Sequence, residues 1–411
     1  MTPRFLQIHT LTHYPASLLN RDDAGFAKRM PFGGAVRTRV SSQCLKRHWR
    51  TYAGENSLLT VAAPESVRSR IAFQRFVVDP LVKKGVDEQV ARLATQKLVD
   101  IVFGSEAKKE KAQKAKGKKG KDPASSDNEP SGEQASIPQV ATAQVTVLGK
   151  PELEYLYKLA DEAIAEANGD PKEVASVIGR RMSDKQLKQN IQALLPGSLE
   201  AGLGAALFGR MVTGDVLSAT DASIHVAHSV TVHGQMAESD YFTAIDDLIR
   251  EEGEQGSGHI NASELTSGLY YGYVVVDVGG LVGNLGGDLN LAGDVVHRLV
   301  HMVATVSPGA KKGSTAPYAY SHLALVESGK RQPRTLQNSF IRPVQPTGDL
   351  VRNTYLAMRE HLAELDEMYG KGEERAHAGL YTNDTDEGSL FENRMALAEL
   401  ADWTRARIAE S

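Results

Sequence analysis

A predicted helix near the N-terminus is the strongest candidate for chemistry, because its cations fall on one side. In SSQCLKRHWRTY the apolar Leu45, Trp49 and Tyr52 recur at i, i+4 and i+7, which is the spacing of a buried helical stripe. The opposite side carries Gln43, Lys46, Arg47 and Arg50. Ser41 or Ser42 is a natural N-cap, and the first turn then offers backbone N–H groups and the positive end of the helix dipole. This face predicts phosphate binding; the alternative is an ordinary solvated basic face.

The chain around this helix is basic, although the whole protein is not. The 411 residues hold 47 Lys and Arg against 51 Asp and Glu, a formal net charge of −4. Residues 1–50 carry nine Lys or Arg against two Asp, which is +7, so the remainder carries −11. The predicted strand before the helix adds Arg37 and Arg39, and the turn after the first strand adds Arg21. A basic N-terminal part on an acidic body is typical of a site for a polyanion.

Two neighbouring acids, Asp22 and Asp23, lie in the same early turn. A divalent metal held by these carboxylates would support nuclease chemistry. The other interpretations are that they anchor the turn through hydrogen bonds to the backbone, or that they neutralise nearby arginines.

The histidines do not predict a metal site. On an alternating strand, His225 and His233 share one face but lie about 26 Å apart at ~3.3 Å per residue, while His228 faces the other way. His297 and His301 are four residues apart on a predicted helix, but an arginine stands where a HExxH metalloprotease has its glutamate. We therefore expect neither a metal nor another cofactor.

The single cysteine and the N-terminal segment bear on the compartment. Cys44 has no partner for an internal disulfide, which is typical of a reducing compartment. The opening MTPRFLQIHT lacks the apolar run of a signal peptide, and the most apolar stretch is short and interrupted by Gly and Asp. We expect a soluble, cytoplasmic protein with no membrane partner.

The elements that position these residues change in type along the chain. FLQIHTLT at the start is typical of a strand, residues 60–205 are mainly helical, and from about residue 203 strands return, as in the alternating SIHVAHSVTVH. Residues 104–138 hold eight lysines between 108 and 121 and no aromatic, which predicts a disordered insertion. Two amphipathic helices are predicted near the end. The sequence thus indicates an α+β fold in which a long helical insertion interrupts a strand-rich unit.

A segment between two predicted strands, residues 234–268, is here called the arm. It places Tyr241, Phe242 and Ile245 among acidic residues and glycines. Such an arm can bury an apolar tip against a partner; the alternative is a short helix packed on its own domain. The following YGYV, residues 271–274, partly matches the aromatic motif of RNA-recognition strands, although buried strand aromatics explain it equally well.

In this order, the segments resemble the Cascade backbone (CasC) family of type I-E CRISPR systems. The matching segments are LNRDD (19–23), FGG through SSQCLKR (32–47), GRMVT (209–213), HVAHSVTVH (225–233), SDYFTAIDDL (239–248), GSGHI (256–260), TSGLYYGY (266–273), NLGG (284–287) and VVHRLVHMVATVSPGAKK (295–312).

The resemblance implies a fold like a right hand. It is an RNA-recognition-motif-like (ferredoxin-like) palm with a helical fingers insertion and a protruding, β-hairpin-like thumb. The implied parts are palm (1–60), fingers (61–205), palm (206–223), thumb (224–265), palm (266–345) and C-terminal helices (346–411).

The resemblance also implies a function and a set of partners. Several copies, typically six, polymerise along one CRISPR RNA beside other Cascade subunits, hold its phosphate backbone and leave the bases free to pair with target DNA. Carried onto this chain, the RNA-binding residues are Asn20, Arg21, Ser41, Ser42, Gln43, Lys46, Arg50 and Met211. The residues that wedge between successive blocks of nucleotides, together with Met211, are Tyr241, Phe242, Ile245 and Ile260.

Three functions therefore stand side by side. The first is a non-catalytic backbone subunit of an RNA-guided antiviral complex. The second is a metal-dependent RNA-guided ribonuclease that uses Asp22 or Asp23. The third is a structural oligomer that binds no nucleic acid.

Overall fold

The computed structural model describes residues 3–104, 139–181, 184–212, 216–245, 257–381 and 391–409, with only the backbone for residues 181, 184, 242–245, 257–261 and 409. The predicted disordered insertion, apart from Gly104, therefore lies outside the described residues. The chain divides into two compact units. The first unit comprises Met1–Val61, Ile224–Gly279 and Asp288–Ser411, and the second comprises Ala62–Ser223 and Gly280–Gly287.

The strands in chain order are β1 (Phe5–Ser17), β2 (Arg29–Phe32), β3 (Ala35–Val40), β4 (Ser66–Ser69), β5 (Thr146–Gly149), β6 (Ile224–Val226), β7 (Ser229–Thr231), β8 (Ala237–Ile245), β9 (Ser257–Asp277), β10 (Leu323–Gly329) and β11 (Glu374–Gly379). The α-helices are α1 (Ser42–Thr51), α2 (Asp79–Lys83), α3 (Glu88–Phe103), α4 (Lys150–Glu166), α5 (Pro171–Arg181), α6 (Asp184–Gln192), α7 (Leu203–Phe208), α8 (Val278–Asn284), α9 (Leu289–Thr305), α10 (Lys312–Thr315), α11 (Leu350–Tyr369) and α12 (Leu397–Ala409). Short 3-10 turns cover Leu58–Thr60, Leu199–Ala201 and Gln337–Phe340, and a π-helical turn covers Gln74–Val78.

The first unit is built on an antiparallel sheet in the order β11-β10-β1-β9-β7-β3-β2, and β6 and β8 pair with further parts of β9. In β1, Leu6 and Ile8 are buried on one face while Gln7 and His9 are buried on the other. Both faces of this central strand are therefore covered by other parts of the chain. The antiparallel sheet and its helices confirm the predicted α+β class.

One face of this sheet is covered by the C-terminal part of the chain. Tyr271 on β9 packs with Phe340 at a ring-centroid distance of 5.6 Å, and Tyr355 and Met358 of α11 belong to the same apolar cluster. The phenol of Tyr271 bonds to Nδ1 of His9 at 2.8 Å. The tyrosines of YGYV therefore include a core residue here, as the second interpretation of that motif predicts.

A buried ionic cluster fixes the C-terminal part to the sheet. Oε2 of Glu327 on β10 lies 3.1 Å from Nε2 of His9 and accepts from Arg334 at 2.6 Å. Its other oxygen accepts from Nε of Arg375 on β11 at 2.7 Å, and Arg375 also bonds to Asp366 of α11 at 2.6 Å. The fully buried carboxylate of Glu327 is thus paired with two guanidinium groups.

The second unit is mainly helical, in line with the prediction for residues 60–205. Its core is formed by residues of α3 and α4, such as Leu98, Leu156 and Ala160, together with Phe73. Residues 206–223, assigned by resemblance to the palm, are grouped with this unit, and the segment after α7 bonds to α4 through Arg210. None of the helices in the described ranges combines the length and apolar character that a membrane crossing requires.

Candidate nucleic-acid interface

Helix α1 forms where the sequence predicts it and is fixed at both ends. Ser41 is its N-cap, and its hydroxyl accepts from the backbone N–H of Cys44 at 3.3 Å. Trp49 is buried, and Leu45 packs with residues of β1 and β3. The apolar stripe therefore holds the helix on the sheet and turns its other side outward.

The outward side of α1 carries the predicted polar and cationic residues. Gln43 and Arg47 are exposed, and Lys46 and Arg50 are partly exposed. The first turn of the helix holds no acidic residue, so nothing in it opposes the positive end of the helix dipole. Such a face can attract phosphate through side-chain charge and through the dipole.

The early turn is tied directly to the start of α1. The amide oxygen Oδ1 of Asn20 accepts from the backbone N–H of Ser41 at 2.9 Å, and the Asn20 carbonyl accepts from Lys28 at 2.9 Å. Arg21 and Ser42 lie beside these contacts, exposed and partly exposed respectively. The structure thus places Asn20 and Arg21 next to the start of α1, whose cap and first turns carry Ser41, Ser42, Gln43 and Lys46.

Asp22 serves as a turn anchor. Its Oδ1 accepts backbone N–H bonds from Ala24 at 3.0 Å and from Phe26 at 2.9 Å, and both backbone groups of Asp22 also bond within the turn. Its geometry matches the structural interpretation of the acidic pair.

Arg37 is a correction to the sequence analysis. Its side chain is fully buried, and its guanidinium donates to the carbonyls of Phe32, Thr231 and Phe340 at 3.2, 3.0 and 2.8 Å. The face of β3 that carries Arg37 is covered by the 3-10 turn containing Phe340. Arg37 therefore stabilises the fold and presents no cation to a phosphate.

Other early cations also have internal partners. Arg29 bonds to Glu264 at 2.7 Å, and Arg39 contacts Nδ1 of His228 at 2.8 Å. Burial lowers the pKa of His228, and the charges of Arg39 and Lys28 lower it further. His228 is therefore neutral near pH 7.

Two lysines belong to the region although no prediction singled them out. Burial lowers the pKa of His48 on α1, its hydrogen bond to the Cys44 carbonyl raises it, and the charges of Lys312 and Arg47 lower it again. Lys28 and Lys312 also act on the thiol of Cys44, whose pKa is raised by burial and lowered by these cations. Lys312 lies near α1 in the fold although it follows Cys44 by 268 positions in the sequence. The local sequence marks Lys312 only as one of two consecutive lysines in GAKK, residues 309–312.

The arm is a β-hairpin. Strand β8 pairs with the first half of β9, with Tyr241 opposite Ala262 and Thr243 opposite Ile260. The side chain of Tyr241 is 64% exposed. Phe242, Ile245 and Ile260 lie on these strands, but their side chains lie outside the described residues, as do residues 246–256.

Glu264 anchors the base of the arm, and the sequence analysis missed it. Its carboxylate accepts from the backbone N–H of Ala27 at 2.6 Å as well as from Arg29. Lys311 donates to the neighbouring Ser263 at 2.9 Å. The arm is therefore fastened to the same early turn that meets α1.

Met211 belongs to the second unit and is 99% exposed. The preceding residue, Arg210, is by contrast buried, and its guanidinium donates to both carboxylate oxygens of Glu152 at 2.8 and 2.7 Å. The backbones of Arg210 and Thr220 also pair in an isolated antiparallel β-bridge. Met211 is thus an exposed apolar side chain next to a buried anchor.

The whole-chain comparisons decide the family. The family described as CT1975-like protein matches residues 6–403. The chain belongs to the CT1975-like protein family. No curated protein matches it.

The chain is also similar to solved structures over nearly its full length. One is a chain of a structure described as "CRISPR RNA-guided surveillance complex, pre-nicking", with 25% identity, a TM-score of 0.75, and coverage of 98% of this chain and 99% of that chain. Another, described as "CRISPR RNA-guided surveillance complex", has 21% identity, a TM-score of 0.66, and the same coverage of both chains. The second likeness concerns the fold alone.

The histidines of the CT1975-like protein have local partners. Nδ1 of His233 bonds to the Gly234 carbonyl at 2.7 Å and its Nε2 accepts from the Leu269 backbone at 3.1 Å. His297 lies 3.3 Å from Asp402 of α12. Within the described ranges, no three His, Cys, Asp or Glu side chains are grouped as metal ligands.

Proposed function

We propose that this protein is a non-catalytic backbone subunit of a CRISPR RNA-guided surveillance complex, of the type I-E Cascade (CasC) kind. The observation that carries the proposal is the cationic outer side of α1, held rigidly on the sheet and joined to the early turn through Asn20 and Ser41. The family match and the likeness to a surveillance-complex chain over 98% of the sequence support it.

In the proposed mechanism, the chain grips a CRISPR RNA by its backbone. Lys46 and Arg50 pair with phosphates, and Asn20, Arg21, Ser41, Ser42 and Gln43 contact phosphates and riboses. Because phosphates look alike in every sequence, this grip is indifferent to the guide, and the free bases supply specificity by pairing with target DNA.

Assembly follows from the arm and Met211. We propose that copies of an RNA-recognition-motif-like palm line up along the RNA, in the cytoplasm and with other Cascade subunits at the ends. The arm of each copy, with Tyr241, Phe242, Ile245 and Ile260, reaches the next copy and wedges with Met211 between blocks of nucleotides. Repeated weak grips on one strand then act cooperatively.

The test is a double variant, Lys46→Ala with Arg50→Ala, in the full-length chain. We expect weaker binding of a single-stranded CRISPR RNA. The slope of log affinity against log salt should also fall by about 0.7 for each phosphate that the variant no longer neutralises. Fluorescence anisotropy at four or more salt concentrations measures both quantities.

The matched control removes the same charge elsewhere. Lys158 and Lys172 are exposed on α4 and α5, so Lys158→Ala with Lys172→Ala changes net charge equally but leaves α1 intact. A salt slope that drops as much in this control as in the α1 variant would refute the assignment of α1.

The ribonuclease alternative receives its own measurement. The purified chain, assembled on CRISPR RNA, is incubated with complementary RNA and Mg²⁺. Under our proposal the target RNA stays intact; cuts at a regular spacing that vanish in Asp22→Ala or Asp23→Ala would replace the proposal with the enzyme.

A further inference from the structure

Two tyrosines after α10 are the most exposed aromatic side chains in the described ranges. Tyr318 is 72% exposed and Tyr320 is 75% exposed. Aromatic rings bury large apolar areas in cores and interfaces. Two solvent-exposed rings that are separated by a single residue therefore indicate a binding surface.

The backbone between the two rings is held firmly. The hydroxyl of Ser307 accepts from the Ala319 N–H and donates to the Ala319 carbonyl, each at 3.0 Å. Ser321, which follows Tyr320, donates its N–H to the Ala304 carbonyl at 2.8 Å. A fixed backbone lowers the entropy that the tyrosines lose when a ligand binds.

The burial of the segment alternates. Pro317 is buried and Ala319 is half-buried, whereas the tyrosines that follow each of them are exposed. This alternation indicates that both tyrosines lie on the same, solvent-facing side of the segment.

The segment lies against the helix that carries the proposed phosphate grip. Ala319 packs in one apolar cluster with Cys44 and Leu45 of α1. Lys312, which is exposed, acts electrostatically on Cys44 and His48 of the same helix. Exposed rings beside cations are the combination that binds single strands, whereas protein interfaces are depleted in lysine.

We propose that Tyr318 and Tyr320 form a stacking platform for unpaired bases of a nucleic-acid strand whose phosphates lie along α1. This inference rests on the proposed function, and it assigns base contact to a second place besides the arm. The shared chemistry is an unpaired base with its phosphate. The strand is either the guide RNA or a single-stranded DNA.

The test compares four full-length proteins by fluorescence anisotropy. They are the wild type, Tyr318→Ala with Tyr320→Ala, Tyr318→Phe with Tyr320→Phe, and Tyr369→Ala, whose tyrosine is 63% exposed at the end of α11. The probes are a 20-nucleotide RNA of mixed sequence, the same RNA with abasic riboses, the DNA equivalent, and a duplex RNA of equal length.

We expect the double alanine variant to lose about tenfold or more in affinity for the intact single strand, since stacking is worth ~1–3 kcal/mol per base. The salt slope should stay unchanged because no charge is removed. The double phenylalanine variant should bind like the wild type, and Tyr369→Ala and the duplex probe should show no loss.

The abasic RNA separates stacking from damage to the fold. If stacking is the cause, the alanine variant and the wild type bind the abasic RNA equally. Loss confined to the RNA probe identifies the guide, loss confined to DNA identifies a DNA strand, and either supports the platform.

Three results overturn the inference. They are wild-type affinity of the alanine variant for both intact strands, equal losses on intact and abasic RNA, or unchanged affinity with altered self-association in size-exclusion chromatography, which would identify a protein-docking surface. If the wild type itself binds no single strand, the proposed function fails as well; failure of the tyrosines alone leaves it standing.

Discussion

Oδ1 of Asn20 accepts the backbone N–H of Ser41 at 2.9 Å, which joins the turn after β1 to the N-cap of α1. The bond uses the oxygen of the side chain that the resemblance assigns to RNA. Asn20 therefore positions the cap of α1 whether or not its amide nitrogen also meets a ribose.

This bond yields a prediction with two variants. Asn20→Ala removes the acceptor, so the Ser41 amide should exchange faster and stability should fall by about 1 kcal/mol. Asn20→Asp keeps an acceptor, so exchange should match the wild type while RNA affinity falls through the added negative charge. Hydrogen exchange by mass spectrometry and anisotropy measure the two effects; identical behaviour of the two variants would contradict the assignment.

Asp22 should matter for stability and not for cleavage. Asp22→Ala leaves the N–H groups of Ala24 and Phe26 without their acceptor, and we expect a loss of about 1–2 kcal/mol in urea denaturation. Asp22→Asn retains the acceptor oxygen and should stay within ~0.5 kcal/mol of the wild type. The neighbouring Asp23→Ala is the control, with little change expected; a larger loss there would place the anchor on the wrong residue.

Arg37 should behave as a core residue. Arg37→Ala removes the donor to three carbonyls and leaves them buried, so we expect a loss of at least about 3 kcal/mol. Arg37→Lys should also destabilise, because one ammonium cannot reproduce the fork of a guanidinium. The salt slope of RNA binding by Arg37→Gln, which removes the charge, should equal that of the wild type, and a decrease would show that Arg37 contacts phosphate.

Glu327 should make stability depend on acid pH. Burial alone would raise the pKa of Glu327, but hydrogen bonds from His9 and Arg334 and their charges lower it well below its usual range. A carboxyl with a pKa below its unfolded value of about 4.3 stabilises the fold above that pH, and the contribution is lost as the pH falls. Glu327→Gln should therefore cost about 3–5 kcal/mol at pH 7.

The difference between the wild type and Glu327→Gln should shrink as the pH falls from about 5 to about 3. Urea denaturation at four pH values measures it. Glu364→Gln, an exposed carboxyl on α11, serves as the control. A difference that stays constant with pH would mean that Glu327 is not the titrating group.

Local periodicity was enough to predict α1. Its apolar stripe, serine cap and cationic side all follow from spacing within twelve residues. The structure places Leu45 and Trp49 on the inner side, while Tyr52 follows the helix as its C-cap. The arm was visible only as a composition between two strands, and its hairpin form came from the resemblance.

Long-range contacts set the limits of sequence reasoning. The sequence places Arg37 in a short strand with apolar neighbours, yet Arg37 is buried while Val36 is exposed, because the carbonyl of Phe340, 303 positions away, accepts from Arg37. The ionic cluster likewise joins His9 to Glu327 across 318 positions, and no local pattern marks that pair. Distant packing likewise brings Lys312 near Cys44 and His48 of α1.

The 21 residues of β9 run without interruption from the arm into the middle of the sheet. Strand β8 holds the first half and β1 holds the second, with Thr266 paired in both ladders. Strand β9 thus spans about 66 Å at ~3.3 Å per residue, and its ladder with β1 shifts register between Tyr14 and Ser17, at the root of the arm. In the proposed assembly, the reach of the arm depends on the number of residues in its strands, so adding two residues to each of β8 and β9 would lengthen that reach by about 6.6 Å while every side chain kept its face.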